Sequence, residues 1–573
     1  MTDYSAEYKK WLSYGGLEEE LKAELEEISG NEEEIKERFC EPLSFGTAGL
    51  RGIIRAGING MNIYTVAQAT QGIAALVKKE NGKMSAVIAS DTRIKSDLFS
   101  EISARVLAAN GIKTYIFDAP RPTPELSFAV RFLGAKAGIN ITASHNPKMY
   151  NGYKAYWEDG VQISPEQAKT VSDEMEKIDI FEGAKMISFD EGVKNGLIEV
   201  VGKEIDEAYL EKVLNERIHK DAVPDVAETF KVVYTPFHGA GAKLVPEALK
   251  RAGLKKLYTV DEQMTPDGSF PTVKSPNPEE KEGFYLAIEL AEKNGCDLII
   301  GTDPDSDRVG VVVKASDGRY ITLTGNQIGV MLLSYIIEAR KLNNKLPQNA
   351  AVVKSIVSTR LADAICEKNG VTLINVLTGF KYIGEKIKEF EETNEYTYIF
   401  GFEESHGCLS GTYARDKDAV CASMLVTEMA AYYAKKGQSL YDVLQNLFAE
   451  YGYYKEITGN IVLPGLGGIE KMTSMIEKLR NNPPKEIAGE NVVKIADFKT
   501  GKTVSCDGKA GETGLPKTNM LIFTLSDGSD VIIRPSGTEP KIKLYCLAKG
   551  NTEKEAEDKA DNCSESMKKL LGI

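Results

Sequence analysis

Short apolar runs alternate with longer segments that are apolar on one side only along much of this chain. This alternation predicts α/β layers with mainly parallel sheets, because strands buried on both faces are apolar throughout. In the N-terminal part the pattern predicts strands at 86–90, 113–117 and 138–142 and a helix at about 96–110. Further strands are predicted at 231–235, 296–302, 309–313, 351–357, 372–377 and 396–402, with helices at about 325–340 and 379–391.

The last part of the chain has a different pattern. After Tyr451 the apolar positions lose their regular spacing, and turn-forming sequences occur at 465–468 (GLGG) and 481–484 (NNPP). Strands are predicted at 530–534 and 541–548, followed by a helix at about 552–570. We therefore expect a smaller α+β domain at this end.

The composition is that of a globular protein with several cores. The 573 residues are 42% hydrophobic and 27% charged, and a prior of about 150 residues per domain predicts roughly three to five domains. The formal net charge of −14 argues against a broad nucleic-acid-binding surface, which would be basic. No run approaches the ~18 apolar residues of a membrane span, and the N-terminus lacks a secretory-signal pattern. Eight scattered cysteines without a C-x-x-C pair predict structural thiols in a reducing, cytoplasmic compartment.

Three of the predicted strands run directly into loops crowded with Ser, Asp or Glu. The sequence TASHNP follows GINI, DPDSDR follows CDLIIGT, and GFEESHG follows YTYI. Ligands of open α/β sheets bind beyond the carboxyl ends of the strands. These loops are therefore expected to converge on a single cleft.

The segment DPDSDR carries a candidate cation site. Asp303, Asp305 and Asp307 alternate, so a turned backbone directs three carboxylates at one point, and such oxygen ligands suit Mg²⁺. An EF-hand loop would need Gly and Glu where the chain has Arg308 and Lys314, which excludes that calcium motif. The alternative is an Asp-rich turn at a strand end, although three close carboxylates repel one another without a cation.

The segment ITASHNPKMYNGYK carries a candidate nucleophile. Ser144 follows an apolar strand, His145 supplies a polar group beside it, and Lys154 is a candidate cation or general acid/base. The G-x-S-x-G pattern of hydrolases is absent here. The alternative is a serine turn with a hydrogen-bonded histidine.

Two further segments carry polar groups suited to a sugar phosphate. In GFEESHG, Glu403 and Ser405 offer partners for sugar hydroxyls, although an acidic helix N-terminus is an equally good interpretation. In IIRPSGTEPKIK, Arg534, Ser536 and Thr538 bring a cation and hydroxyls into one turn that suits phosphate. A plain hairpin turn is the alternative for this segment.

Taken in order, these segments resemble the motifs of the α-D-phosphohexomutase superfamily, which contains phosphoglucomutases and phosphomannomutases. FGTAGLRG resembles the family's N-terminal active-site loop, TASHNP its phosphoserine loop, DPDSDR its metal loop, FEES its sugar loop and RPSGTEPK its phosphate-binding loop. SDTR, YTPFHGAG and LTGFKYIG extend the resemblance over the whole chain. NGYKAYWEDG together with FGTAGLRG is most similar to the branch of phosphoglucomutase-2 and bacterial α-phosphoglucomutases.

The resemblance implies four domains around a central cleft. The first three are expected to be related α/β domains with mixed sheets, and the last a smaller α+β domain that moves. The expected ranges are 1–205 with the phosphoserine loop, 206–322 with the metal loop, 323–452 with the sugar loop and 453–573 with the phosphate-binding loop.

The resemblance also implies roles for individual residues. A phosphate on Ser144 and the carboxylates of Asp303, Asp305 and Asp307 are expected to bind one Mg²⁺ per chain. Candidates for catalysis are Ser144, Arg51, Lys154, His145 and Lys417. Candidates for substrate binding are Thr47, Arg308, Thr378, Gly379, Glu403, Ser405, Arg415, Lys417, Arg534, Ser536, Gly537 and Thr538. His406, where relatives often carry an aromatic residue or Gly, is interpreted as a surface residue in preference to a sugar ligand.

The expected reaction is the interconversion of glucose 1-phosphate and glucose 6-phosphate through glucose 1,6-bisphosphate, which also primes the enzyme. Mannose and pentose phosphates are alternative substrates for the same mechanism. A phosphatase or bisphosphate synthase using the same serine, and a sugar-phosphate-binding protein with an inactive site, are alternatives from other classes. A small phosphosugar is the expected partner, with no nucleic acid and no membrane, and the chain is expected to be a monomer or a homodimer.

Overall fold

The computed structural model describes residues 3–46, 49–80, 82–463, 468–536 and 541–573. These residues form two compact units, which are described separately. The first comprises Met1–Leu323, Ile383–Asn394 and His406–Ser439, and the second comprises Thr324–Tyr382, Glu395–Ser405 and Leu440–Ile573. One helix, Phe380–Thr393, runs across a boundary between these ranges. In the described parts of the chain, no helix combines the length and the apolar character needed to cross a membrane.

Three helices at the start of the first unit pack around a buried tryptophan. Trp11 is fully buried and makes edge-to-face contacts with Phe39 and Tyr64. Asp3 and Asn31 cap two of these helices by accepting hydrogen bonds from backbone N–H groups of the first turn. The helices are Tyr4–Ser13, Glu19–Glu27 and Glu32–Phe39.

A six-stranded mixed sheet follows in the same unit. Its interior strands pair in parallel, and two strands at one edge pair antiparallel, so the predicted parallel α/β layer is confirmed with an antiparallel edge. The strands, in spatial order, are Gly49–Ile53, Tyr150–Trp157, Ala137–Ile141, Ser85–Ser90, Lys113–Phe117 and Ile198–Val201. The helices of this region are Ile63–Lys79, Ser96–Ala109, Thr123–Leu133, Pro165–Met175 and Phe189–Lys194. The sheet and these helices enclose one hydrophobic core.

The second sheet of the first unit has five strands. The strand Leu298–Thr302 is buried along its whole length, and it ends immediately before Asp303. The strands, in spatial order, are Tyr320–Thr322, Val309–Lys314, Leu298–Thr302, Lys231–Thr235 and Lys256–Thr259. The helices are Lys203–Asn215, Ala222–Val226, Gly241–Arg251, Asp261–Met264, Tyr285–Asn294 and Ala419–Lys435, with a 3₁₀ turn at Lys281–Phe284 and a short strand at Gly407–Leu409.

The second unit begins with a further α/β layer. Its parallel strands are Thr372–Val376, Ala350–Ser355 and Thr397–Glu403, which confirms the three predicted strands within one or two residues. The strand Thr397–Glu403 is buried over nearly its whole length and leads into Glu404 and Ser405. The helices are Gly325–Leu342, Leu361–Asn369 and Leu440–Tyr451.

The remainder of the second unit is an antiparallel sheet with two helices, Gly468–Asn481 and Glu553–Leu571. Two of these elements, the strand Tyr453–Val462 and the helix Gly468–Asn481, lie where the sequence has a less regular, turn-rich pattern and where no element was predicted. The strand is mostly half-buried at one edge of the sheet, which weakens its apolar pattern. The strands, in spatial order, are Tyr453–Val462, Lys541–Gly550, Asp530–Pro535, Leu521–Leu525, Glu490–Asp497, Lys502–Ser505 and Ala510–Glu512, with Glu486–Ile487 paired to Glu490–Asp497.

The eight cysteines are all free thiols, and six of them are buried. Burial raises the pKa of Cys408 and of Cys366, the latter to about 12. Such thiols are poor nucleophiles. The prediction of structural thiols is therefore confirmed for the buried six.

Candidate active site

The serine loop and the aspartate loop of the first unit meet at one hydrogen bond. The hydroxyl of Ser144 donates to Oδ2 of Asp303 across 2.8 Å, although the two residues are 159 positions apart. Both are buried, and each follows the carboxyl end of a buried strand, Ala137–Ile141 or Leu298–Thr302. The sequence prediction that these two loops converge is confirmed.

Three carboxylates form a buried cluster beside Ser144. One oxygen from each of Asp303, Asp305 and Asp307 lies within 4.8 Å of the others, and each of the three residues is almost completely buried. Burial and the neighbouring charges of Asp305 and Asp307 raise the pKa of Asp303 well above its usual value. Burial alone would raise the pKa of Asp305, but the charge and hydrogen bond of Lys154, with the hydrogen bonds of Asp303 and Thr123, together lower it.

Both oxygens of Asp303 accept hydrogen bonds, whereas Asp305 and Asp307 each have one bonded oxygen and one oxygen that is unpartnered in the part of the chain that the structure describes. Oδ1 of Asp303 accepts the backbone N–H groups of Asp307 and Arg308. Oδ2 of Asp305 and Oδ2 of Asp307 both accept from Lys154. The Oδ1 atoms of Asp305 and Asp307 are buried without a hydrogen-bond partner among the described residues. Unpartnered buried carboxylate oxygens are costly, so this donor set fits a hard divalent cation.

The backbone of the serine loop is held in an uncommon conformation. Ser144 has φ of +51°, a left-handed value that side-chain-bearing residues rarely adopt. Its N–H donates to Oγ1 of Thr142 across 2.8 Å, and the Thr142 hydroxyl donates in turn to Asp91 across 2.6 Å. Strain of this kind persists only where surrounding contacts determine it, and here those contacts aim the Ser144 hydroxyl at Asp303.

Arg93 is the main support of the serine loop, and sequence analysis included it only within the supporting motif SDTR. Its guanidinium donates to four backbone carbonyl oxygens of the loop, those of Ser144, Asn146, Pro147 and Tyr150. The guanidinium also pairs with Asp91 at 3.2 Å and lies over the ring of Phe270. The motif SDTR places Arg93 two residues after Asp91, which made an ion pair between them predictable. The four backbone carbonyls that Arg93 bonds could not be predicted from the sequence.

A histidine contacts the Ser144 hydroxyl, and two arginines lie near that histidine. Nδ1 of His145 lies 3.2 Å from Ser144 Oγ, and Arg51 donates to the Asn146 side chain at 3.3 Å. Burial, followed by the charges of Arg308 and Arg51, lowers the pKa of His145 well below its usual value. His145 is therefore neutral at pH 7, and one ring nitrogen is an acceptor. Arg308 itself pairs with Glu279 at 2.7 Å.

Two lysines bridge the aspartate cluster. Lys154 Nζ lies 2.7 Å from Asp305 Oδ2 and 3.2 Å from Asp307 Oδ2. Lys417 Nζ lies 3.2 Å from Asp307 Oδ2 and 2.9 Å from Asp416. Burial alone would lower the pKa of Lys154, but Asp305 and Asp307 raise it above its usual value. Lys154 is therefore protonated and positively charged at neutral pH.

Thr123 also contacts the cluster, and no sequence signal pointed to it. Its hydroxyl donates to Asp305 Oδ2 across 2.7 Å, and its backbone N–H donates to the Asp305 carbonyl. Arg415, a predicted substrate-binding residue of the same unit, is buried and paired with Glu391.

The predicted sugar loop lies in the second unit. The Gly379 N–H donates to Glu403 Oε1 across 2.7 Å, so the neighbouring pair Thr378–Gly379 is joined to the loop as the prediction placed it. Gly379 has φ of +123°, which favours glycine. The hydroxyl of Thr378 is buried without a hydrogen-bond partner among the described residues. Ser405 follows Glu404, which accepts from Ser355 across 2.8 Å.

The predicted phosphate-binding turn is described only in part. Arg534 is the penultimate residue of the strand Asp530–Pro535, and the Ser536 N–H donates to the Lys541 carbonyl. Gly537 and Thr538 lie outside the described residues, as does Thr47 of the predicted N-terminal loop.

His406 and His238 lie in contacts that support the fold. His406 is 6% exposed, so the interpretation as a surface residue was wrong. Its carbonyl accepts the N–H of Val309, and its ring contacts the Val309 carbonyl, which buries the side chain. His238, in the motif YTPFHGAG, bonds the Thr265 carbonyl and the Thr272 hydroxyl through its two ring nitrogens.

The models of phosphoglucomutase/phosphomannomutase α/β/α domains I, II and III match residues 42–181, 207–318 and 324–451. A phosphoglucomutase of Staphylococcus epidermidis is 38% identical over 517 residues, 90% of this chain and 92% of that protein. A phosphoglucomutase of Staphylococcus haemolyticus is 36% identical over 509 residues, 88% of this chain and 90% of that protein.

Solved structures share the fold at lower identity. A phosphoglucomutase/phosphomannomutase family protein from Burkholderia thailandensis has a TM-score of 0.65 at 19% identity, covering 92% of this chain and 97% of that one. Parafusin, a phosphoglucomutase from Paramecium, has a TM-score of 0.67 at 17% identity, covering 92% and 94%. At these identities the likeness concerns the fold.

Proposed function

The chain belongs to the phosphoglucomutase/phosphomannomutase family, and we propose that it interconverts glucose 1-phosphate and glucose 6-phosphate. The observation that carries the proposal is the 2.8 Å hydrogen bond from Ser144 Oγ to Asp303 Oδ2. It places a nucleophile directly beside three carboxylates. The names of the Staphylococcus relatives, at 36% and 38% identity, support glucose as the sugar.

A phosphate on Ser144 and the carboxylates of Asp303, Asp305 and Asp307 would hold one Mg²⁺ per chain. The unpartnered Oδ1 atoms of Asp305 and Asp307 support this assignment. When bound, Mg²⁺ supplies Lewis-acid stabilisation of the charge on the transferring phosphoryl group. Catalysis of phosphoryl transfer depends mainly on the positions of the reacting groups and on electrostatic stabilisation of the transition state. The other residues of this site are therefore expected to position the substrate and to supply charge.

The cationic residues around Ser144 orient the phosphoryl group and offset its charge. Arg51, Arg308 and Lys154 contribute positive charge. Each of these side chains is held in place by a neighbour: Asn146, Glu279 and Asp305, respectively. Lys154 acts as a charge or proton donor and not as a base, because its carboxylate partners keep it protonated. Lys417, held by Asp416 and Asp307, is the second such cation.

Return of a phosphoryl group to Ser144 requires the hydroxyl to lose its proton. The hydroxyl hydrogen of Ser144 already points to Asp303 Oδ2 at 2.8 Å, so Asp303 is assigned as the acceptor of this proton. The bond between Oγ and phosphorus forms as the bond between phosphorus and the sugar oxygen breaks, and the sugar oxygen leaves as a hydroxyl with a proton from Lys154. His145, which is neutral, is assigned to catalysis through the contact of its Nδ1 with Ser144 Oγ at 3.2 Å.

We assign binding of the sugar and of the phosphate that is not transferred to residues of the second unit. Arg415 is assigned to substrate binding as well. Glu403 and Ser405, with Thr378 and Gly379, would bind the sugar hydroxyls. Arg534 and Ser536 would bind the phosphate that is not transferred, together with the adjoining Gly537 and Thr538. Since the two ends of the sugar must exchange places, glucose 1,6-bisphosphate is the proposed intermediate and activator.

The direct test measures turnover of glucose 1-phosphate with Mg²⁺ and a trace of glucose 1,6-bisphosphate. Mannose 1-phosphate and ribose 1-phosphate are the competing substrates. A higher kcat/KM for either competitor contradicts the assignment to glucose. Release of inorganic phosphate faster than glucose 6-phosphate appears contradicts the mutase assignment and favours a phosphatase.

The phosphoserine is tested by mass. The purified chain is expected to lose one phosphate on phosphatase treatment, and peptide mapping is expected to place it on Ser144. Ser144→Ala is expected to abolish turnover with an unchanged unfolding temperature. Near-normal turnover by Ser144→Ala would rule out the phosphoenzyme.

A further inference from the structure

We propose that Thr123 is a positioning residue that selects which oxygen of Asp305 faces the divalent cation, an inference that rests on the proposed cation site. Thr123 is the first residue of the helix Thr123–Leu133, and it is fully buried. Its hydroxyl lies 2.7 Å from Asp305 Oδ2, and its N–H bonds the Asp305 carbonyl at 2.8 Å. A residue 182 positions away thus fixes both the backbone and the side chain of Asp305.

The direction of the hydroxyl bond is determined by Asn140. The side-chain amide of Asn140 donates to Thr123 Oγ1 across 2.6 Å. A threonine hydroxyl has one hydrogen, so with an incoming donor on its oxygen that hydrogen is free for Asp305. The bond to Asp305 is therefore a donation to a carboxylate, which is the stronger, charge-assisted type. Asn140 is fully buried in the strand Ala137–Ile141.

Two donors then occupy the same oxygen of Asp305. Lys154 Nζ, at 2.7 Å, and Thr123 Oγ1 both bond Oδ2, while Oδ1 is buried with no hydrogen-bond partner among the described residues. Lys154 is shared with Asp307, so it does not by itself determine the side-chain rotation of Asp305. Of the three aspartates, the hydroxyl of Thr123 bonds only Asp305. It is the contact that turns Oδ1 toward the cluster.

Partners of metal ligands of this kind orient the ligand and set its basicity, and their loss costs about 10-fold to 100-fold in metal affinity. Thr123→Val keeps the shape of the side chain and removes the donor. We expect the affinity of the chain for Mn²⁺ to fall by about 10-fold in this variant. Thr123→Ser keeps the hydroxyl, so its affinity is expected to stay within about 2-fold of the wild type.

The test titrates Mn²⁺ into the full-length chain phosphorylated on Ser144, with the phosphate content of each variant matched by intact mass, and counts free Mn²⁺ by electron paramagnetic resonance, without any substrate. The wild-type chain, Thr123→Val and Thr123→Ser are compared, and unfolding temperatures are recorded alongside. A role in folding alone would lower the unfolding temperature of Thr123→Val and leave its Mn²⁺ affinity unchanged. Thr123→Ala, which also lacks the hydroxyl, is measured in place of Thr123→Val if that variant does not fold.

The outcomes separate this inference from the cation proposal. Absence of Mn²⁺ binding by the wild-type chain overturns the cation site itself, and the role of Thr123 with it. Binding by the wild-type chain and equal binding by Thr123→Val overturns only the role of Thr123. Weaker binding by Thr123→Val, with Thr123→Ser like the wild type, supports both.

Discussion

A Cβ atom added to Gly407 would lie 2.1 Å from Cδ of Lys417, so the position of this lysine depends on the absence of a side chain at residue 407. Cβ atoms do not approach other carbons so closely, and Lys417 would have to move. Its present position is set by the carboxylates of Asp307 and Asp416.

Gly407→Ala is therefore expected to lower kcat by about 100-fold, since misplacement by about 1 Å costs that much in an oriented site. Steady-state kinetics with glucose 1-phosphate check this. Gly15→Ala is the matched control, because a Cβ at Gly15 meets nothing within 4 Å. Equal kcat in Gly407→Ala and the wild type would show that Lys417 contributes nothing from its observed position.

Arg93→Lys tests whether the serine loop depends on a guanidinium. Lysine keeps the charge but is a point donor, so it cannot bond the carbonyls of Ser144, Asn146, Pro147 and Tyr150 together. We expect phosphorylation of Ser144 by glucose 1,6-bisphosphate to slow by about 10-fold to 100-fold, as the loop loses its oriented geometry. Rapid quench and intact mass measure that rate.

Two comparisons make the Arg93 result specific. Arg38→Lys changes another buried arginine, which pairs with Glu24 and Glu34 in the N-terminal helices, and is expected to leave the rate unchanged. Added methylguanidinium is expected to restore part of the rate in Arg93→Ala. A phosphorylation rate in Arg93→Lys equal to that of the wild type argues against a positioning role.

The sequence predicted those residues of the site that lie together on one short segment of the chain. Asp303, Asp305 and Asp307 follow one buried strand, and Ser144 follows another, so apolar pattern and polar loop together located them. The strands of the α/β layers were predictable for the same reason, since buried strands are nearly uniform in character.

The supports of the site were not predictable from pattern. The partnership of Thr123 and Asp305 spans 182 positions, and neither the helix start nor its Thr-Pro sequence indicates a carboxylate nearby. His406 was misplaced because a polar residue in a loop favours the surface, whereas the backbone bond with Val309 buries it. Tyr453–Val462 was missed because its half-buried side chains give no clear alternation.

Lys154→Met separates charge at the site from binding of the cation. Removal of the ammonium takes a donor from Asp305 and Asp307 and leaves their carboxylates less compensated. Because the positive charge of Lys154 repels a cation bound by the same two aspartates, we expect Mn²⁺ affinity to stay equal or to rise, while kcat falls by about 100-fold or more with loss of an oriented cation. Mn²⁺ titration and turnover on the same preparation check this. A parallel loss of affinity and kcat would contradict this separation.

Glu456 of the second unit predicts a pH-dependent stability that is independent of catalysis. Burial raises the pKa of Glu456 from 4.5 to about 7, against a hydrogen bond from Thr359 and the charges of Lys455 and Lys354, which act in the opposite direction. The folded chain therefore binds this proton more tightly than the unfolded chain, so the carboxyl lowers stability progressively as the pH rises from about 4.5 to about 7, and its effect levels off above that pH.

Glu456→Gln removes the ionisation and keeps the shape. The free energy of unfolding is expected to be unchanged near about pH 4 and to increase by roughly 2 to 3 kcal/mol at about pH 7.5, as follows from ~1.4 kcal/mol per unit of pKa difference. Lys354, whose pKa burial lowers to about 8, titrates above this window and does not account for the change. Urea unfolding at both pH values measures the gain, with Glu450→Gln, where no such rise in pKa exists, as control. A gain of the same size at both pH values would mean that Glu456 does not titrate in the folded chain as its burial requires.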